Sequence, residues 1–480
     1  MIEKGNASGD GVMDTSDETS NSHTSLSTTS LPTPSTVYSQ QAKWALVGMV
    51  GMAGLFSPLP ANIYFPAIPT LANVFGRSIE DINLTVTIYL AMHGASPMLW
   101  GPLSDRFGRR PLLLVCLAIL VGSSLGLALC PPSAFWLLLL LRALQPFGCA
   151  STISLGAGVI GDIATVDERG GFFGMFNLGP MLAPCIGPAL GGALSEHFGW
   201  RSIFWFLMIF SAACFAMILL FLPETMASAR QQSLETAVDS DSTAKPEDRA
   251  KPKPSANPFR LLMYPDILLT LAYTGIVYAV NYTIMSTISS SFKVTYPFLS
   301  ETMLGICYLS TGLGMILGST ITGKLLDREY ARVKTKCETG EVSIEYARLR
   351  MSPFLLLGFV ASGIGWGWCI KTKTSIAAPL VLQVILGYTS ISILNSTMTL
   401  MIDIIRDQSS GIIACTNLVR CSLAALLVSL IDKATQELGH GWTYTLLGGL
   451  SALLLSCIYV EIKMGPRWRL AREKERGAQL

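Results

Sequence analysis

Arg142 and Arg420 each interrupt a long apolar stretch, 135–162 and 411–431 respectively. A guanidinium at membrane depth costs at least about 2.5–3.5 kcal/mol on insertion scales, so each must face a cavity or a partner. Acidic residues are scarce in these stretches: Asp162 and Asp403 stand near helix ends and Glu168 at a helix start. Two cations without obvious buried counter-ions suit an anionic ligand, because the planar guanidinium fork binds a carboxylate through two hydrogen bonds. Backbone carbonyls would also satisfy them, and Arg142 would also suit proton coupling alone. Asn62, Tyr64, Gln145, Asn281, Gln383, Asn395 and Asn417 carry the amides and hydroxyls that would complete a site. Such residues are more often helix–helix hydrogen bonds than ligand contacts. His93, in mid-stretch, suits proton carriage, although a lone histidine is more often a packing residue.

The elements that must position these groups follow from composition. Half of the 480 residues are hydrophobic and only 14% are charged, against roughly 25% charged in soluble globular proteins. Mean hydropathy is +0.48. Runs of about 20 apolar residues span the hydrocarbon core as helix, and turn and charge clusters divide the chain into twelve. They are 44–64, 81–101, 112–130, 135–162, 168–194 and 202–222, then 266–290, 302–323, 353–370, 376–402, 411–431 and 442–462. The expected fold is an all-α integral membrane protein. Its parts are a disordered N-terminal tail (1–42), a six-helix bundle (43–222), a polar linker (223–262), a second six-helix bundle (263–463) and a C-terminal tail (464–480).

Basic residues set the expected orientation. Arg106, Arg109 and Arg110 follow the second stretch, Arg249 to Arg260 lie between the halves, and Lys324 to Lys336 follow the eighth. The positive-inside rule therefore places both termini and the linker in the cytosol. The eleven cysteines follow no metal or disulfide spacing. No Gly-x-x-x-x-Gly-Lys-Ser/Thr or His-Glu-x-x-His pattern is present, so ATP-driven pumping and zinc-dependent hydrolysis lack their basic equipment. An enzyme is not expected, and no cofactor, metal or nucleic acid is called for.

An internal repeat supports two halves: Gly101-Pro-Leu-Ser-Asp105-Arg106 follows the second stretch, and Gly323-Lys-Leu-Leu-Asp327-Arg328 follows the eighth. Two parallel six-helix repeats around a linker are one transporter architecture. The stretch from Gly101 to Arg110, with Asp105, Arg106, Gly108 and Arg109, resembles the loop motif of the major facilitator superfamily. Gly187-Pro188-Ala-Leu-Gly191-Gly192 resembles the motif of its proton-coupled exporters, and Arg142-Ala-Leu-Gln145 its antiporter motif, although Pro146 and Phe147 here precede Gly148. Ser57-Pro58-Leu59-Pro60-Ala-Asn62-Ile-Tyr64-Phe65-Pro66 is similar to the fungal twelve-span drug:proton antiporter family, in the branch of quinidine-resistance-type, dityrosine, citrate and itaconate exporters.

That resemblance implies a secondary transporter exporting a citrate- or itaconate-like organic anion by alternating access, with proton coupling. The alternative is a multidrug or polyamine proton antiporter, and a non-transporting sensor is a third class. The implied partners are the small-molecule substrate (organic anion or drug), protons and the bilayer, with a monomer expected. The plasma membrane is favoured by the resemblance over the vacuolar membrane. Glycines 101 and 108 are expected to allow tight turns. Arg109 or Arg110 is expected to pair with Asp162 as a latch on the cytosolic gate, with Asp327 and Arg328 as the second half's counterpart; a merely topogenic basic loop is the plainer reading. Gly187, Pro188, Gly191 and Gly192 are expected to kink helix 5 and let a neighbour pack closely.

Overall fold

The computed structural model describes residues 38–164, 168–226, 262–336, 344–405 and 409–477. The expected tail up to residue 37 and the linker from 227 to 261 lie outside the described residues. Among the described residues all regular structure is helical. Ten stretches are long and apolar enough to cross a membrane. One of them, Gly411–Arg472, folds back at Gly439, whose φ of 74° is a left-handed conformation that glycine adopts without a Cβ penalty. It therefore supplies two passes. The twelfth pass, Ile79–Phe107, is 29 residues long and more polar, because Asn83, His93, Ser96 and Pro97 fall inside it.

The passes are α1 (Gln40–Leu55, extended by short helices to Phe75), α2 (Ile79–Phe107), α3 (Arg109–Leu129), α4 (Phe135–Cys149 with Thr152–Ile163), α5 (Arg169–Phe198) and α6 (Arg201–Phe221). They continue as α7 (Pro265–Thr295), α8 (Glu301–Lys336), α9 (Ser352–Lys371), α10 (Ala377–Ile404), α11 (409–438) and α12 (440–477). Successive passes run in opposite directions. We call the end where α1 begins and α6 finishes the near end, and the opposite one the far end.

Several bounds differ from the sequence reading. The first pass does not stop at Tyr64: prolines 58, 60 and 66 break it into short helical turns, and the chain runs on to Phe75. Each proline removes a backbone N–H, so the break leaves carbonyls for side chains to occupy. Gly101 is not a turn but lies inside α2, with open space beside it; the turn is made by Gly108 alone, at φ 100°. The last helix does not end at 463. It continues to Gly477, and Arg472 is buried against Asp266 at the start of α7.

The halves meet along two seams. On one, α5 lies so close to α8 that a Cβ on Gly192 would collide with the Glu301 carbonyl. On the other, a Cβ on Gly94 of α2 would stand 2.9 Å from Cys421 Cβ of α11. At the far end polar side chains clasp the seams. Asn83 Nδ2 donates to Asp432 (2.6 Å), Gln436 to Glu80, Thr70 to Glu301, and the Thr302 backbone N–H to Glu196 (2.7 Å).

Candidate functional site

Arg142 is fully buried in the far half of α4. Its Nη1 donates to Gln145 Oε1 one turn on (2.9 Å) and to the Pro60 carbonyl (3.2 Å) in the break of α1. The guanidinium lies between two rings, 4.1 Å from the Tyr64 centroid and 4.4 Å from that of Tyr89. Gln145 is steadied by Ser124 (3.3 Å), and the Tyr64 hydroxyl by Thr85 (2.9 Å). Cation–π contacts of this desolvated kind contribute about 2 kcal/mol, enough with the carbonyl bond to hold the cation at this depth. Nε and Nη2 still have no hydrogen-bond partner.

Arg420 stands nearer the middle of its pass, half-buried on α11 in the second half with its guanidinium 4.8 Å from the Tyr278 centroid. Its Nε donates to Asn417 Oδ1 (3.1 Å). A run of aromatic rings leads away from Arg420, and a second, shorter one from Arg142. Tyr278 packs on Tyr282 (5.4 Å), Tyr282 edge-on to Phe65 (5.5 Å), and Phe65 stacks on Tyr308 (6.1 Å). On the opposite side Tyr89 stacks on His93 (5.8 Å). Among the described residues neither arginine forms an ion pair. The ion pairs lie elsewhere: Lys43–Glu168 (2.8 Å), Arg109–Asp162 (3.7 Å), Arg348–Asp403 (2.9 Å), Arg350–Glu329 (3.0 Å) and Arg469–Glu345 (3.0 Å), with Arg332–Glu329 and Arg472–Asp266.

The other expected binding residues divide. Gln145, Tyr64 and Asn417 touch the arginines. Asn62 does not: its amide donates back to the Pro58 carbonyl (2.7 Å), and its Cβ faces Gly187 of α5. Asn395 donates to Ser319 (3.3 Å), and Gln383 is hydrogen-bonded to Ser310 (2.6 Å), both joining α8 to α10. Asn281 is buried on α7 with its carbonyl oxygen unpartnered and its amide 3.9 Å from Met285 Sδ. These placements follow helix–helix packing more than convergence on one point.

At the near end Asp162 stands 3.7 Å from Arg109, one of the two arginines expected to pair with it. Arg109 also donates through Nη1 to Ser104 (2.6 Å), and Arg110 donates to the Leu219 carbonyl (2.7 Å). Sequence reasoning overlooked Glu224, whose carboxylate accepts the backbone N–H groups of Arg109 (3.1 Å) and Arg110 (3.2 Å) and so caps α3. Thr225 donates to Asp162 (3.1 Å). The first residues of the expected linker are therefore fastened onto the loop. Arg106 is exposed over the Phe107 ring. The side chains of Asp105 and Asp327 lie outside the described residues, and Arg328 is exposed. Arg348–Asp403 occupies the matching place in the second half.

The helix-5 motif lets neighbouring backbone approach closely. α5 runs unbroken through Pro180, Pro184 and Pro188. A Cβ at Gly191 would collide with the Ile63 carbonyl of the broken first pass. A further residue missed in the sequence is Glu461 of α12. It is 2% exposed, both its oxygens lack a hydrogen-bond partner, and it lies close to Glu345 and lines a small cavity with Tyr273 and Thr270. A glutamate inside the last apolar stretch was the available signal.

Twelve passes in two halves, with cations and aromatic rings between them, define a polytopic membrane carrier. A family model described as Major Facilitator Superfamily matches residues 50–429, and the chain belongs to that superfamily. It is a multi-pass membrane transporter and not an enzyme. Citrate exporter 1 of Aspergillus niger is 32% identical over 475 residues, covering 92% of this chain and 89% of that one. Multidrug transporter AQR1 of Candida glabrata is 31% identical, covering 92% and 79%. Among solved structures, a bacterial homolog of the human lysosomal transporter Spinster superposes with a TM-score of 0.64 at 13% identity, covering 90% of this chain and 99% of that one. A D-xylose–proton symporter gives 0.63 at 17%, covering 86% and 97%. At these identities the structures bear on the fold alone.

Proposed function

We propose that the protein exports a small organic anion, a di- or tricarboxylate of the citrate or itaconate kind, from the cytosol in exchange for protons. The observation that carries this reading is the pair of membrane-embedded guanidiniums, Arg142 and Arg420, which among the described residues meet no carboxylate, while other buried cations such as Lys43 and Arg472 have one. A guanidinium held off water by aromatic faces favours an incoming carboxylate, since charge-assisted, two-pronged hydrogen bonds strengthen in a low-dielectric site. Likeness to a citrate exporter is in keeping with this. With both termini in the cytosol, the far end faces outward and its clasp closes the external gate, while the Arg109–Asp162 pair belongs to the internal one. Asp105 joins that internal latch, with Asp327 in the second half. The plasma membrane is the proposed location.

The test is flux in proteoliposomes carrying the purified protein, with citrate and itaconate compared against cationic drugs under an imposed proton gradient. Arg420→Lys keeps the charge and loses the fork, so the KM for carboxylate should rise about tenfold, the equivalent of 1.4 kcal/mol. Drug flux without carboxylate flux, or unaltered carboxylate kinetics in Arg420→Lys, rejects the reading. One observation favours multidrug export as the second reading: the run Tyr278, Tyr282, Phe65 and Tyr308 offers ring faces to flat apolar cargo.

A further inference from the structure

A helix carbonyl normally accepts the N–H four residues on. For His93 that residue is Pro97, which has none, so α2 carries one carbonyl freed from its own ladder at mid-depth. A carbonyl left so in a buried place must find another donor. The donor comes from the other half of the molecule: Asn417 Nδ2 lies 3.0 Å from the His93 oxygen. The same Asn417 accepts Arg420 Nε on its Oδ1 (3.1 Å) and is itself only 8% exposed. Gly94, next to His93, permits this approach: a Cβ there would lie 2.9 Å from Cys421 Cβ and 3.4 Å from the Asn417 carbonyl oxygen.

We propose that Asn417 is a positioning residue that aims Arg420 only while α2 and α11 are packed together, and that Pro97 creates the acceptor that anchors it. Separation of the helices at this level removes the amide's hydrogen bond to the His93 carbonyl and frees the amide, so the guanidinium loses its fixed direction. The role of Arg420 as the cargo's anchor rests on the function proposed above. A cargo held unequally in a carrier's two states biases which state is populated, whereas equal affinity shifts nothing. A guanidinium whose orientation depends on the seam supplies that inequality.

Full-length protein in lipid nanodiscs is treated with phenylglyoxal, and labelling of Arg420 is followed by peptide mass spectrometry. Two variants are compared with wild type. Asn417→Ala removes the bridge; Pro97→Ala restores a helical N–H that competes for the His93 carbonyl while leaving Asn417 and Arg420 in place. Arg420 should be labelled several-fold faster in both, with buried Arg142 unlabelled throughout. In oriented vesicles, the carboxylate KM measured from the two faces should converge in both variants, each shifting by about three- to tenfold on the tighter face. A merely structural defect would lower the maximal rate and leave the ratio of the two constants alone. Unchanged Arg420 labelling in both variants overturns the proposal, and a change in Asn417→Ala alone overturns the part given to Pro97. Absence of carboxylate flux in wild type rejects the cargo reading instead, and the labelling still decides the positioning role.

Discussion

The guanidinium of Arg142 lies 4.1 Å from the ring of Tyr64, four residues beyond the Pro60 carbonyl to which the same guanidinium donates. The cation thus repairs a break in the first pass while standing against a ring from it. Arg142→Lys should remove the fork and the carbonyl bond together, lowering flux by at least tenfold. Tyr64→Phe keeps the ring and should transport nearly as wild type, whereas Tyr64→Leu should lose about 2 kcal/mol of stability. Flux and thermal unfolding in detergent check this; a Leu variant as stable as the Phe variant would refute the ring's part.

The near-end loop makes a separate prediction. Gly108 takes φ 100°, and a Cβ there would stand 2.6 Å from Glu224 Oε2. Gly108→Ala should therefore displace the cap on α3 and cost about 1–3 kcal/mol. Asp162→Asn should slow transport several-fold at an unchanged surface amount, because the pair with Arg109 is weakened while Thr225 keeps a partner; Asp105→Asn should do likewise if it belongs to the latch. Surface biotinylation beside flux separates the two effects, and wild-type flux in both Asn variants would dismiss the latch.

The close approach of α5 to the first pass predicts a size limit. Gly191→Val should abolish transport, since two branches are added where even one Cβ meets the Ile63 carbonyl. Gly187→Ala meets Asn62 Cβ at 3.3 Å, a contact that a small shift relieves, and should keep a substantial part of the activity. Equal flux in the two variants would contradict this.

Glu461 gives a stability prediction with the opposite sign. A buried carboxyl with neither oxygen partnered, near Asp266 and Glu345, is a cost to folding. Glu461→Gln keeps the shape and removes the titratable carboxyl, and should raise the melting temperature by about 2 °C or more, equivalent to roughly 1 kcal/mol. A lower melting temperature would mean that the carboxylate has a stabilising role.

Much of the architecture was legible in the chain. The apolar runs located twelve passes because a helix crossing hydrocarbon must satisfy its backbone internally and cover itself with apolar side chains, a one-dimensional demand written in order along the sequence. The repeated Gly-x-Leu-x-Asp-Arg loops marked the two halves. Gly108, Arg109 and Asp162 were found by their motif, and Arg142 and Arg420 by the expense of a charge at that depth. Glu461 carried the same signal and was passed over. Helix bounds were less legible where polarity changes gradually, as after Tyr64 and beyond 463.

What the sequence determined by itself was therefore the class of molecule, the number of passes and the identity of the two anomalous cations. Tertiary structure alone decided what those cations meet. No spacing rule links Pro97 to Asn417, 320 positions apart in the chain, or pairs the Pro60 carbonyl with Arg142. Such contacts depend on how the halves and the broken first pass pack, and packing is fixed by close approach in three dimensions, which glycines such as Gly94 and Gly191 permit without announcing their partners. The bonds of Asn62 to the Pro58 carbonyl and of Asn395 to Ser319 were hidden for the same reason: in a bundle, an amide satisfies the nearest free carbonyl or hydroxyl, and the fold chooses which one that is.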